Sequence, residues 1–334
     1  MPIQAYAAPA VRGPLEPYTY EPGPLGPDEV EIRVTHSGIC HSDIHLIDND
    51  WQISTYPLVP GHEIVGTVRA IGSNVRHVQV GQRVGVGWQS GACYCCEYCL
   101  AGEEPSCPKN QAVCCHGHFG GFAEAVRADA AFAHPIPDAL ASENAAPLLC
   151  AGITVYAPIR RHVRPGLRVG VIGVGGLGHL ALQFAAAYGA DVTAFSTTAA
   201  KEAEARQLGA RHFVVSSDAR QMESVAGRFD FLLSTVTVDL DWPAWARALR
   251  PFGKLCLVGA SPGSISVPVM ELVIGQKAIL GSIIGGRGMM REMLQFAADH
   301  DIRTRSELMP MREINAAIER VRRNQARYRV VLTN

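Results

Sequence analysis

The sequence predicts an α/β chain in two parts, a mostly-β first part followed by a doubly wound parallel sheet with helices on both faces. Two observations predict this. Before about residue 150, apolar residues fall in short alternating runs cut by glycine, the period of half-buried strands. After it, "LRVGVIGVGGLGHLALQFAAAYGADVTAFS" reads as an apolar strand, a glycine turn, an alanine-rich helix and a second strand, which is the grammar of a βαβ unit. The 334 residues exceed one average core, and 48% hydrophobic with 18% charged residues suits well-packed domains.

In chain order, "EVEIRVTHSGI" from residue 29, "IVGTVRAIGSNV" and "GQRVGVGW" are the strands of a compact antiparallel barrel or sandwich. Past the βαβ unit, "AAKEAEARQLGA" is helical, "RHFVVSS" and "FDFLLSTV" are strand-like, and "WARALRPFGKLCLVGA" is a helix feeding a strand. Such alternation predicts a parallel sheet. Beyond residue 286, "MMREMLQFAADH" and "INAAIERVRRN" read as helices and "RYRVVLT" as a last strand that need not join that sheet. Repeats and low-complexity tracts are absent.

Thirty basic against thirty-one acidic side chains leave a formal charge of −1, which gives no general attraction for nucleic acid or anionic lipid and favours a small neutral substrate. The opening "MPIQAYAAPAVRGPLEPY" lacks the pattern of a secretory signal, and no apolar run is long enough to span a bilayer. A cytoplasmic protein is expected, and there clustered cysteines are more often metal ligands than disulfides.

Cys93, Cys96, Cys99 and Cys107 are spaced C-x2-C-x2-C-x7-C. Two-residue gaps let successive thiolates curl round one centre, and a fourth from a loop completes the tetrahedron of a structural zinc; an iron–sulfur cluster is the alternative occupant. Four thiolates leave no open position, so this metal braces a loop. Cys95 breaks the spacing and is expected to point away. Cys114, Cys115, His116 and His118 in "CCHGHFGG" read as incidental, and Cys256 in "KLCLVG" as a core thiol. Upstream, "GICHSDIH" offers Cys40, Ser42, Asp43 and His45, and "PGHEIVG" offers His62 and Glu63.

Together with "VPGHEIVGTV", the cysteine lobe, "PLLCAGITVY", "GVGGLGH", "STTAAK" and "RYRVV", these motifs make the chain resemble the zinc-dependent medium-chain alcohol dehydrogenases over nearly its whole length. Within them it is similar to the cinnamyl alcohol dehydrogenase group. The resemblance implies a GroES-like catalytic domain at residues 1–149 carrying the lobe at about 91–107, a Rossmann domain at 150–286, and a segment 287–334 returning to the first domain. It implies a catalytic zinc held by Cys40, His62 and Cys150, with Glu63 entering its coordination transiently. Cys2His is a known alcohol dehydrogenase zinc set; two thiolates cancel the charge of Zn²⁺, and three protein ligands leave a position for substrate. Asp43 is expected to accept the free ring N–H of His62, a turn cap being the alternative. The family's proton path runs from substrate through Ser42 and the cofactor ribose to His45, with His41 lining the cofactor cleft.

Gly173, Gly175, Gly176, Leu177 and Gly178 follow a strand and open a helix, where bare backbone can approach a pyrophosphate at the helix N-terminus. The next strand ends in Ser196, Thr197 and Thr198, with Lys201 beyond. An NAD site would place an acid there; hydroxyls and a lysine suit the 2′-phosphate of NADP instead, as the resemblance also implies. Thr154 near the nicotinamide and Arg329 at the pyrophosphate follow from the resemblance, with a surface role the alternative for Arg329.

The expected activity is reversible hydride transfer between NADP(H) and primary alcohols or aldehydes, favouring aldehyde reduction, with two zincs per chain and a cleft between the domains at "PLLCAGITVY". A zinc-free quinone or enone reductase and a zinc-stabilised binding module are the rivals. Asp50, Trp51, Ile53 and Trp88 are candidate pocket residues. Plant members carry a bulky aromatic shortly after the last lobe cysteine, where this chain has Gln111 and Ala112. The family implies a homodimer joined edge to edge near "KAILGSIIGG", with no nucleic-acid or membrane partner.

Overall fold

The computed structural model describes residues 1–261 and 263–334. They form two compact units, one of Met1–Ile153 with Gly285–Asn334, the other of Thr154–Ile284.

The first unit is built on a seven-stranded sheet. Its centre is the strand Glu29–Ile39, whose alternation of β-branched residues buries Val30, Ile32 and Val34 on one face. One edge of this strand pairs antiparallel with Glu63–Ile71. The other edge is shared: Ala125–Asp129 pairs with its first half and Arg329–Thr333 with its second. The last strand of the chain thus belongs to the first sheet, and its register sets Val330 opposite Ile39 while Glu63 lies opposite Gly38. Ser306–Pro310 adds a parallel edge strand outside Arg329–Thr333. The sequence did not predict this strand: "SELMP" has no clean alternation and closes on a proline, both tolerable only at an edge. The helix Ile314–Arg322 turns Ile314, Ala317, Ile318 and Val321 into the same core, the i, i+3, i+4, i+7 stripe of a half-buried helix.

The second unit is a six-stranded sheet, parallel throughout, in the order His212–Val215, Asp191–Ser196, Arg168–Ile172, Phe229–Ser234, Leu249–Leu257, Ala278–Gly281. The order reverses beside the first-formed strand, Arg168–Ile172, as in dinucleotide-binding sheets. Its interior is aromatic. Phe195 packs edge-on against Phe229 and Trp245, with ring centroids 5.4 and 4.8 Å away. Among the described residues, no helix is long and apolar enough to cross a membrane.

Candidate active site

Cys40 ends the central strand region and caps the helix His41–Asp48. Its backbone N–H donates to Asp43 Oδ2 at 2.9 Å, which holds the first turn of the helix against the strand end. Asp43 is fully buried, and its other oxygen accepts from Gly61 N and from His62 Nδ1, both at 2.9 Å. With Nδ1 donating, the lone pair of His62 sits on Nε2. That nitrogen lies 3.3 Å from Cys150 Sγ, which is 4.0 Å from Cys40 Sγ. Cys150 reaches this point from a π-helical turn, Leu148–Gly152, between the helices Ser142–Pro147 and Ile153–His162; such bulges re-aim a side chain inside a helix. Cys40, His62, Glu63 and Cys150 each present a ligand atom, all within 4.8 Å of one another. Asp43 therefore accepts the ring N–H of His62, and the turn-cap alternative turns out to be part of the same arrangement.

The electrostatics of the cluster favour a thiolate at Cys40. The hydrogen bond from Cys150, helped by His62, holds the Cys40 thiol well below its ordinary value, while that same bond and burial push Cys150 well above. Burial works against charge on His62, but Asp43 outweighs it and raises the imidazole. A soft sulfur and nitrogen set with a buried carboxylate suits zinc. Glu63 adds a detail: one oxygen pairs with Arg329 and the other, fully buried, has no partner.

The Glu63–Arg329 pair crosses the central strand at Gly38. A Cβ there would lie 2.0 Å from Glu63 Oε2, so the carboxylate occupies the space that any other residue would fill. Arg329 is only 6% exposed, which rules out the surface role and gives Glu63 its counter-charge. Sequence reasoning found both residues but not their pairing, since 266 positions separate them.

Ser42 Oγ lies 3.6 Å from Cys40 Sγ, and His45 sits one helical turn on, its Nδ1 2.8 Å from the carboxylate of Asp50. His45 is partly exposed. Trp51 leans on the His45 ring and meets Trp88 edge-on, and Trp88 meets His62 edge-on at 5.0 Å. Two of the pocket residues suggested by sequence thus form an indole wall beside the cluster. Gln111 and Ala112 form a short strand pairing with Gln89–Gly91, next to Trp88 in the chain.

In the lobe, Cys93, Cys96, Cys99 and Cys107 form a second set with sulfurs within 4.8 Å, Cys93 standing 3.9 Å from Cys99 and 3.5 Å from Cys107. The backbone amides of Cys95 and Cys96 hold the Cys93 thiol down to about 6. Glu104, 2% exposed, accepts from Arg287 Nε at 2.8 Å and from Arg287 N, tying the lobe to the helix Arg287–Asp299. Cys95 is exposed and outside the set. Cys114 and Cys115 are buried in the hydrophobic core and His116 is exposed, so the structure does not gather them with His118. Cys256 is buried and its thiol is pushed up to about 12.

In the second unit, Gly173 leaves its strand at φ 92°, in the left-handed region that favours glycine. Gly178 opens the helix Gly178–Ala187 so close that a Cβ would sit 1.9 Å from Gly173 O. Gly175, Gly176 and Leu177, all partly exposed, form the crest between, and a Cβ on Gly175 would meet nothing within 4 Å. The turn thus has room for a phosphate at a ten-residue helix. Buried His179, not singled out from sequence, braces the turn through Nδ1 to Gly175 O at 2.9 Å. Ser196 ends its strand buried, Thr197 and Thr198 are exposed, and Lys201 Nζ donates to Val174 O at 2.5 Å, which brings the lysine to the glycine turn. Thr154, at the first position of the unit, is buried.

Comparison with known proteins agrees with this architecture. Residues 26–138 match the alcohol dehydrogenase GroES-like domain and residues 176–299 the zinc-binding dehydrogenase domain. The chain belongs to the zinc-dependent medium-chain alcohol dehydrogenases, in their cinnamyl alcohol dehydrogenase-like group. It is 43% identical to an aldehyde reductase, AdhA, of Synechocystis, over 99% of both chains. Among solved structures it is similar to a cinnamyl alcohol dehydrogenase of Sorghum bicolor, at a TM-score of 0.94 and 37% identity, covering 100% of this chain and 98% of that one. A cinnamyl alcohol dehydrogenase from Helicobacter pylori, solved with NADP(H), gives a TM-score of 0.91 at 30% identity with the same coverage.

Replacing Gly38 with alanine should force the Glu63 carboxylate off Arg329 and leave two buried charges unpaired, a loss of roughly 3–5 kcal/mol. Urea unfolding of Gly38→Ala should show it as a lowered midpoint; an unchanged midpoint would mean that the carboxylate can move aside freely.

Proposed function

We propose that the protein reduces aldehydes to primary alcohols, reversibly, with NADPH, using one catalytic zinc at Cys40, His62 and Cys150 and one structural zinc at Cys93, Cys96, Cys99 and Cys107. The observation that carries this reading is the contrast between the two gathered sets: four sulfurs in the lobe, against two sulfurs, one imidazole and a carboxylate that is also paired with Arg329; three firm ligands and a tethered carboxylate would leave a position for substrate. When bound, that zinc supplies a Lewis acid for the carbonyl oxygen and NADPH supplies the hydride. The chain's own groups do the rest. Asp43 keeps Nε2 of His62 free for the metal. Ser42, beside Cys40, holds the inner end of a proton path, and His45, partly exposed and oriented by Asp50, holds the end that exchanges with solvent. Glu63, with one free oxygen, is the carboxylate able to enter the coordination sphere.

Support for NADP over NAD comes from the acid-free end of the strand Asp191–Ser196, followed by Thr197, Thr198 and Lys201. Gly173, Gly175, Gly176, Leu177 and Gly178 take the pyrophosphate and Thr154 lies near the nicotinamide, while Arg329 is the counter-charge of Glu63. The Trp51 and Trp88 indoles favour slim, apolar aldehydes. All ten cysteines are free, which suits the cytoplasm. The strand Ala278–Gly281 is an open sheet edge, and near it Val269, Met270, Val273, Ile274 and Ile283 are exposed; this is the surface through which two copies pair as a homodimer.

Metal analysis should give two zincs per chain, and Cys40→Ser should retain one while losing nearly all turnover; full activity in that variant would remove the catalytic assignment. The ratio of kcat/KM for NADPH over NADH should exceed unity and fall about tenfold in Lys201→Ala, whereas a native preference for NADH would overturn the cofactor reading. Light scattering should report a dimer that Ile274→Glu weakens, and a monomeric native protein would reject the edge-to-edge pairing.

A further inference from the structure

The Glu104–Arg287 pair does more than fasten the lobe. The helix Arg287–Asp299 begins after Gly286, which has no side chain to cap it, and the missing acceptor arrives from the lobe. Glu104 takes the first backbone N–H of the helix, that of Arg287, at Oε2, 3.1 Å away, and Arg287 Nε at Oε1, 2.8 Å away. A carboxylate at that end also suits the helix dipole. The approach needs a glycine: a Cβ on Gly286 would lie 2.1 Å from both Glu104 Oε2 and Gly102 O. A second lobe residue, Tyr94, presents its ring centre 4.9 Å from the guanidinium carbon of Arg287. The start of the helix is thus fixed by the lobe. Further along, its buried face carries Met290 and Met293. Met293 Sδ stands 3.3 Å from the place a Cβ on Gly152 would take. Met290 Cε lies 3.3 Å from the place a Cβ on Gly87 would take, and Leu149 O lies 2.5 Å from that same point. Leu149 and Gly152 flank Cys150 in the turn Leu148–Gly152, and Gly87 precedes Trp88, whose indole meets His62.

We propose that Arg287 is a positioning residue of the Cys40–His62–Cys150 set: by anchoring its helix to the lobe it holds Met290 and Met293 against the turn that aims Cys150. The inference rests on that set being a metal site. Asp43 fixes Cys40 and His62, whereas Cys150 comes from a separate element and takes its place from what packs against it. Close-packed interiors pass a displacement on rather than absorb it. A helix released from Glu104 therefore shifts the methionines, the turn and the third ligand together. Loss of such an outer support weakens the hold on a metal by about tenfold or more.

The test follows transfer of zinc from the loaded protein to a chromophoric chelator in wild type, Cys40→Ser, Arg287→Ala, Arg287→Lys and Met293→Ala. Total zinc is measured first. Two per chain in wild type and one in Cys40→Ser identify the release phase of the Cys40 set, whereas a single zinc in wild type overturns the metal reading and this inference together. Arg287→Ala should speed that phase about tenfold, and Arg287→Lys, which keeps a cation for Glu104, should bring it back towards the wild-type rate. Met293→Ala leaves Glu104 and Arg287 paired; it should speed the same phase with the lobe phase unchanged, and it decides the matter alone if Arg287→Ala does not fold. With two zincs bound, faster release from the lobe only in Arg287→Ala, or an unchanged Cys40 phase in Met293→Ala, would overturn the positioning role and leave the metal assignment standing.

Discussion

A single buried carboxylate organises the catalytic half of the molecule. Asp43 has no access to water, and a carboxyl group in such a place is tolerable only if both its oxygens find donors. Its donors are the amide of Cys40, the amide of Gly61 and the ring of His62. Satisfying them fixes two stretches of chain against each other and orients the imidazole in the same act. The placing of the His62 ring beside Cys40 and Cys150 is thus a by-product of solving a desolvation problem.

Charge bookkeeping separates the two sulfur sets. Four thiolates around a Zn²⁺ would carry a net −2, which the partly exposed position of the lobe and an amide such as that of Lys109, directed at Cys107 Sγ, would offset. Two thiolates and an imidazole around the same ion would be neutral, which suits the deep burial of the second set in the first unit. The nearby Glu63 would upset that neutrality but for Arg329, delivered by the last strand. The two sets differ in the charge of their donors, and their surroundings follow from it.

How much of this was legible in the sequence depended on distance along the chain. The lobe ligands lie within fifteen residues of each other, and the glycine turn lies between a strand and a helix that announce themselves by period; both could be read from spacing. Cys150 could not, since a lone cysteine in an apolar run has no local mark, and only family resemblance singled it out. The Glu63–Arg329 pair, the clearance it needs at Gly38 and the edge strand Ser306–Pro310 were invisible because each depends on which strands become neighbours. The incidental reading of Cys114 and Cys115 was recoverable, for their flanking residues are apolar and both end in the core.

The first unit is discontinuous: its central strand lies near residue 30, while the strand that completes one edge, and with it the arginine facing Glu63, lies near residue 330. A chain emerging from the ribosome makes the whole nucleotide-binding sheet before that strand exists. The ordering works as a timer, because the carboxylate of Glu63 stays without its counter-charge until the strand Arg329–Thr333 is made. Assembly of the cluster with its counter-charge therefore comes after synthesis of the entire second unit.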